Sequence, residues 1–315
     1  MSVRVEASSP AIESTYKARE VEGVFDLHFY RPIGFWLAKR FARLRMTPTQ
    51  VTLLGGVFGL IAGHLYYYRN VPINIIGMAL HVLANALDNA DGQLARLTNQ
   101  QSRRGRIIDS VVDHIIFINI YFNLGFRYLL HGATPMIYLL GFAAGLSHAV
   151  QGAAADYYRN AYLYFTNGRD RAHFDSSSHL ASNYERFDWS RSPLRKFFLG
   201  LYTNFTRQQE FFSPSLKELR DAAERSFPDE IPEWLKSEYR ERARPAFKWW
   251  GLLMTNSRML ILFVLLVAKQ PIWFFWIELT ALNLLLLYLL LRQENMARSF
   301  LATIGTRAVL AEAVR

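Results

Sequence analysis

The feature that most constrains this chain is an alternation of long uncharged stretches with basic ones. Residues 46–68, 70–87 and 128–155 run for 23, 18 and 28 residues without Asp, Glu, Lys or Arg. A helix needs about 20 apolar residues to cross the hydrocarbon core, where every backbone polar group must be satisfied within the segment. These stretches therefore read as membrane helices. Whole-chain averages conceal this: hydrophobic residues make up 51% and charged residues 20% of the 315, values that would suit a soluble protein. A net charge of +10 suits either nucleic acid or an anionic membrane surface, and the apolar stretches select the membrane. There are no cysteines, which excludes disulfides and thiolate metal sites. The first 23 residues carry charges of both signs and no apolar run, so no signal peptide is expected there.

Taken in order, residues 1–24 read as a polar N-terminal segment. Residues 25–46 form an amphipathic surface helix. Phe29, Ile33, Trp36, Leu37, Phe41 and Leu44 roughly share a face, and Arg31, Lys39, Arg40, Arg43 and Arg45 follow with no acid between them, a pattern suited to a membrane surface. Spans one to four fill residues 47–164. Span one carries Tyr66, Tyr67 and Tyr68 at its end, an interfacial aromatic belt. Span two ends at Leu87, span three covers about 105–127, and span four lies within 128–155 with His148 and Gln151. Residues 165–245 form a polar, basic, helical insertion. In it Ser215 and Glu218 read as a capping box for a helix to about Arg225, and Pro232 opens another to about Arg244. Leu194, Phe197, Phe198, Leu201, Tyr202 and Phe205 suggest an apolar face against the membrane or the main body. Spans five (247–268) and six (271–291) fall within 246–292, and an amphipathic tail follows at 293–315. The fold class is an all-α integral membrane protein: six transmembrane helices, a surface helix before them and a cytoplasmic insertion between spans four and five.

Charge sets the expected orientation. Of 36 Lys and Arg, 32 fall on one side of this topology and 3 on the other (Arg69, Arg127 and Lys269), with Arg258 inside span five. The positive-inside rule puts both termini, the insertion and the ends of spans two and three in the cytoplasm.

At those ends lie four acids. Asp88 and Asp91 are three apart, Asp109 and Asp113 four apart, and on helices each pair shares a face. Carboxylates beside apolar helix ends are costly unless neutralised. Hard divalent cations bound through oxygen answer that cost. Gly92, Ala95 and Arg96 follow the first pair, and Gly105 stands one turn before Asp109. The order D-x2-D-G-x2-A-R-x8-G-x3-D-x3-D resembles the signature of the CDP-alcohol phosphotransferase family, with all eight fixed positions filled. The opening Thr-Pro-Thr-Gln-Val-Thr-Leu-Leu-Gly at residues 47–55 also resembles the start of that family's first membrane helix.

The resemblance implies a membrane enzyme that moves a phosphoryl-linked group from a CDP-alcohol to a second alcohol and releases CMP. It implies magnesium or manganese, as two ions, at Asp88, Asp91, Asp109 and Asp113, with Asp113 as the base. Gly92, Ala95, Arg96 and Gly105 would receive the nucleotide donor, and the protein would be a homodimer. CDP-diacylglycerol with a soluble, polar or phosphorylated alcohol is one reading of the substrates. Arg106, Arg159 and Arg258 would then hold the acceptor. A soluble CDP-headgroup with diacylglycerol or ceramide is the other. Pairing of Arg258 with Glu278 is a structural alternative to an acceptor role. A cation transporter is the reading from another class, disfavoured because the acids cluster at helix ends beside Gly92, Arg96 and Gly105. The expected location is a bacterial inner membrane, with no nucleic-acid partner.

Overall fold

A computed structural model describes residues 19–23, 25–169, 174–190 and 192–313. Most of the polar segment expected at 1–24 lies outside the described residues. Among those described, the chain is helical throughout, with no strand. A π-helical turn, Asp26–Tyr30, leads into α1 (Arg31–Arg43). Then come α2 (Pro48–Leu65), α3 (Val71–Leu97), α4 (Arg103–Leu129) and α5 (Met136–Asn167). The insertion folds as α6 (Ser177–Glu185), α7 (Pro193–Phe212), α8 (Pro214–Ser226) and α9 (Glu233–Ala243). Last are α10 (Phe247–Trp250), α11 (Thr255–Val267), α12 (Ile272–Leu279) and α13 (Ala281–Ala313).

The helix starts follow local chemistry. Thr47 caps α2 through a reciprocal box with Gln50: the Gln50 N–H donates to the Thr47 hydroxyl, and the Thr47 N–H donates to the Gln50 side chain. Pro48 follows at the first helical position, where its missing N–H costs nothing. Asn70 and Ser102 cap α3 and α4 in the same sense.

The chain divides into two compact units. One holds Met1–Ser147 and Arg258–Leu279; the other holds His148–Ser257 and Thr280–Arg315. In the first, α3 packs on α1 and α2, and α2 packs on α4. Glycines make the second contact close. A Cβ at Gly56 would sit 2.8 Å from Val112, at Gly59 2.5 Å from Ile116 and at Gly63 2.3 Å from Asn119, all on α4. Small residues at helical spacing let membrane helices approach and gain dispersion contacts where lipid supplies no hydrophobic drive. Buried Arg127 closes the far end, donating to the Tyr66 and Tyr68 carbonyls and to Asn74 Oδ1. In the second unit, α8 packs on α13 and α6 on α7.

Several expected boundaries move. Among the described residues four helices are long and apolar enough to cross a membrane, within α3, α4, α5 and the run Ile272–Arg307. A fifth crossing results if the helices on either side of Met254 count as one bent span. The six expected crossings also included α2 (Pro48–Leu65), which is not among these helices. The uncharged stretch 128–155 does not coincide with one helix. It holds the end of α4, a turn at Gly132 (φ +92°) and most of α5. α5 also continues past Asp156 to Asn167, because charge near a helix end does not stop a helix. α13 runs unbroken through the expected start of the tail at 293 to Ala313, with no proline to end it.

Two local expectations are also corrected. Ser215 and Glu218 make no capping box: Ser213 is the cap residue, and the Ser215 N–H donates to Glu294. Arg31 is not a surface cation, because its guanidinium makes two bonds to Glu22, at 2.6 and 2.9 Å, and is buried. The face assigned to residues 29–44 divides. Ile33, Leu37 and Phe41 pack on the first unit's core, while Phe29, Trp36 and Leu44 stay exposed.

Candidate active site

The four acids converge where α2, α3 and α4 meet. α3 runs on as one helix through its apolar stretch to Leu97, so Asp88 and Asp91 leave the bundle on a rigid element. α4 starts at Arg103 and brings Asp109 and Asp113 back along it. Asp88, Asp91, Asp109 and Asp113 line one recess, together with Thr52, Gly55 and Gly56 of α2 and Asn85 of α3. Gly55 lets α2 approach α3 closely: a Cβ there would sit 3.3 Å from the Leu87 Cβ and 3.4 Å from the Ala84 carbonyl. Asp88 is exposed, Asp91 buried and Asp109 half-buried, and one carboxylate oxygen from each lies within 4.8 Å of the others. Among the described residues no Lys or Arg lines the recess.

Thr52 was not singled out from sequence. Its hydroxyl donates to Asp91 Oδ2 and also lies 3.1 Å from the Pro48 carbonyl. A threonine one turn into an apolar helix normally bonds back to its own helix, so nothing local marks it as belonging to Asp91.

The remaining expected residues are placed unevenly. Gly92, Ala95 and Arg96 continue α3 beyond the recess lining. Arg96 folds back over Gly92: a Cβ at Gly92 would meet the guanidinium nitrogens at 3.5 and 3.6 Å. The Arg96 Nε is buried and, among the described residues, has no hydrogen-bond partner. Gly105 sits in the first turn of α4, its N–H donating to Ser102 Oγ. Arg106 is exposed on that turn. Arg159 belongs to the second unit and pairs with Asp156 at 2.7 Å. Arg258 is buried and bonds Glu278 at 2.6 Å. The structure thus brings the four acids together, while Arg159 and Arg258 are each held by an acid of their own unit.

Such a site, four acids in a recess between helices of membrane-spanning length, defines a helical integral membrane protein with an acidic polar site. More particularly, residues 45–159 match the model of the CDP-alcohol phosphatidyltransferase family. Among curated relatives, an archaetidylinositol phosphate synthase of Pyrococcus horikoshii is 30% identical over 105 residues, 33% of this chain and 54% of its own. A putative cardiolipin synthase of Mycobacterium tuberculosis is 33% identical over 98 residues, covering 31% of this chain and 44% of its own. The inner membrane protein YnbA of Escherichia coli is 31% identical over 118 residues, 37% and 56% respectively. The chain spans about half the length of the curated relatives it matches.

Proposed function

We infer that this protein transfers a phosphatidyl group from CDP-diacylglycerol to the hydroxyl of a small polar or phosphorylated alcohol, releasing CMP. The observation that carries the reading is the convergence of carboxylate oxygens from two helices within 4.8 Å of one another. The matched family and two relatives named for lipid products support it. Asp88, Asp91 and Asp109 suit magnesium or manganese: oxygen donors only, several carboxylates, and, among the described residues, no cation in the lining to compete. Bound among them and Asp113, two such ions would neutralise phosphate oxygens and charge on the departing CMP.

The chain's own residues do the rest. Thr52 holds Asp91 in orientation. Arg96, with a buried and unspent Nε, meets the donor phosphates over Gly92, where the lack of a side chain leaves the backbone open. Ala95 and Gly105 keep the surrounding surface small. Asp113 takes the proton of the acceptor hydroxyl as its oxygen bonds to the lipid-bearing phosphorus. The bond from that phosphorus to the bridging oxygen breaks, and its electron pair leaves with CMP. Arg106 is the acceptor cation that remains exposed, whereas Arg159 and Arg258 already serve Asp156 and Glu278. In this reading α2 completes six crossings. The recess, the insertion and both termini face the cytoplasm of a bacterial inner membrane, and the protein works as a homodimer.

The test is CMP release by purified protein. CDP-diacylglycerol is offered with a panel of polar alcohols, and CDP-headgroups separately with diacylglycerol or ceramide. CMP is expected from the first set only, and only with magnesium or manganese. Release from the second set alone would reverse donor and acceptor. Cation flux with no CMP in either set would remove the enzymatic reading.

A further inference from the structure

Helix α7 is amphipathic in the inverted sense. Its buried positions are mostly polar: Thr203, Thr206, Gln209 and Glu210 face inward with Leu199. Each has a partner inside the second unit or on its own helix. Gln209 donates to the Ala153 carbonyl, Glu210 accepts from Ser177 and Arg220, and the two threonines bond back along α7. The outward side is largely apolar, with Asn204 and Gln208 as its exposed uncharged polar residues. Leu194, Leu201, Phe205 and Phe212 are spaced 7, 4 and 7 residues apart and so share one stripe. Leu194 is 73% exposed, and Phe211 at the stripe's edge 79%. A helix facing water does the reverse, with its polar residues outside. An exposed apolar stripe over 20 residues marks a surface that something else covers.

Charge identifies the cover. The only acid on α7 is Glu210, which is buried, while Arg195 and Arg207 are exposed and Lys196 is half-exposed. Trp189, just before the helix, is half-exposed, and Lys196 lies over its ring at 5.8 Å. A second copy of this helix would bring cations against cations across a self-complementary contact. An anionic bilayer surface accepts both features, taking the stripe below the headgroups and the cations among them. Trp and Tyr also favour that depth. α7 is not among the helices apolar enough to cross, so lying flat is the arrangement left to it.

We propose that α7 is a second interfacial helix, lying on the anionic leaflet with Leu194, Leu201, Phe205 and Phe212 in the acyl region and Arg195, Lys196 and Arg207 at the phosphates. The insertion is thereby a membrane-bound element rather than a cap standing in water. This rests on the membrane location and is independent of which substrates the recess takes.

The chain has no cysteine, so single labels are clean. Leu201→Cys and Phe205→Cys, each in the full chain, carry a nitroxide in vesicles of phosphatidylcholine with phosphatidylglycerol. Leu284→Cys on α13 is the lipid reference and Asp229→Cys the water reference, both at exposed positions. Labels on α7 are expected to respond to oxygen over a water-soluble nickel relaxer, as at Leu284. Reversing Arg195, Lys196 and Arg207 to Glu should lower the docked-to-free ratio about fivefold or more per cation, in anionic vesicles and not in phosphatidylcholine alone. Nickel access matching Asp229 would overturn the proposal. So would protection from both relaxers with label–label broadening, which would mean a second copy covers the stripe. Lipid exposure unmoved by charge reversal would overturn the choice of anionic headgroups.

Discussion

In the insertion, Glu210 accepts from Ser177 and from Arg220 at 2.9 Å, and Lys217 stands 3.3 Å away. Burial alone would raise its pKa, yet these bonds hold the carboxyl below the usual range. In the recess, Asp88, Asp91, Asp109 and Asp113 share a lining that, among the described residues, holds no Lys or Arg. Both groups sit in helical surroundings. One satisfies its charge from within the chain, and the other gathers like charge that a bound cation would neutralise. Arg258 and Glu278 follow the first pattern. A paired buried acid is a structural element that breaks when one partner goes. A convergent set of acids lowers stability until a cation arrives, so it persists for function.

That contrast can be broken most sharply at Asp91 and Asp109. Asp91→Asn or Asp109→Asn should lower metal-dependent CMP release about 10⁴-fold, roughly 5 kcal/mol. The detergent-solubilised apoprotein should keep or raise its Tm, since one of four repelling charges is gone. A fall in Tm with activity intact would make the recess structural. The mirror experiment is Arg220→Ala. Glu210 then stays buried with Ser177 and the half-exposed Lys217 but without its buried cation, and the insertion should lose about 3–5 kcal/mol. Protease susceptibility of residues 174–190 and 192–243 would report it. Unchanged susceptibility would mean that the pairing there is incidental.

Thr52→Val sharpens the comparison at smaller scale. It removes the hydroxyl on Asp91 and keeps the volume, so metal affinity should weaken about 10–100-fold with little effect on Tm. Thr52→Ser should restore most of it. The measurement is the magnesium or manganese dependence of CMP release, or manganese binding followed by EPR.

The sequence made the recess legible to an uneven degree. Asp88 and Asp91, or Asp109 and Asp113, fall on common faces because their spacing is a property of one helix. That the two faces meet was implied only through family resemblance. Thr52 carried no signal, because its partner is 39 residues away and an apolar helix with a threonine is ordinary. The glycines at 56, 59 and 63 stood in plain view, but their use appears only when Val112, Ile116 and Asn119 are laid against them. Arg258 had two readings in the sequence, acceptor or ion pair, and the bond to Glu278 realises the second.

By itself, then, the sequence determined the solvent, the helical class and the positions of the acids. Each of these follows from composition or periodicity within one segment: uncharged runs of membrane length, proline and asparagine caps, and spacings of three and four. Tertiary structure decided the partners of Asp91, Arg31 and Arg258. It also decided where the helix within 128–155 begins, and that α7 turns its threonines and Leu199 inward and Leu194, Leu201, Phe205 and Phe212 outward. A helix's own periodicity defines two faces but does not say which of them is buried. That choice depends on whether Ser177, Arg220 and Ala153 are at hand to satisfy the polar one, and no pattern within residues 193–212 contains them.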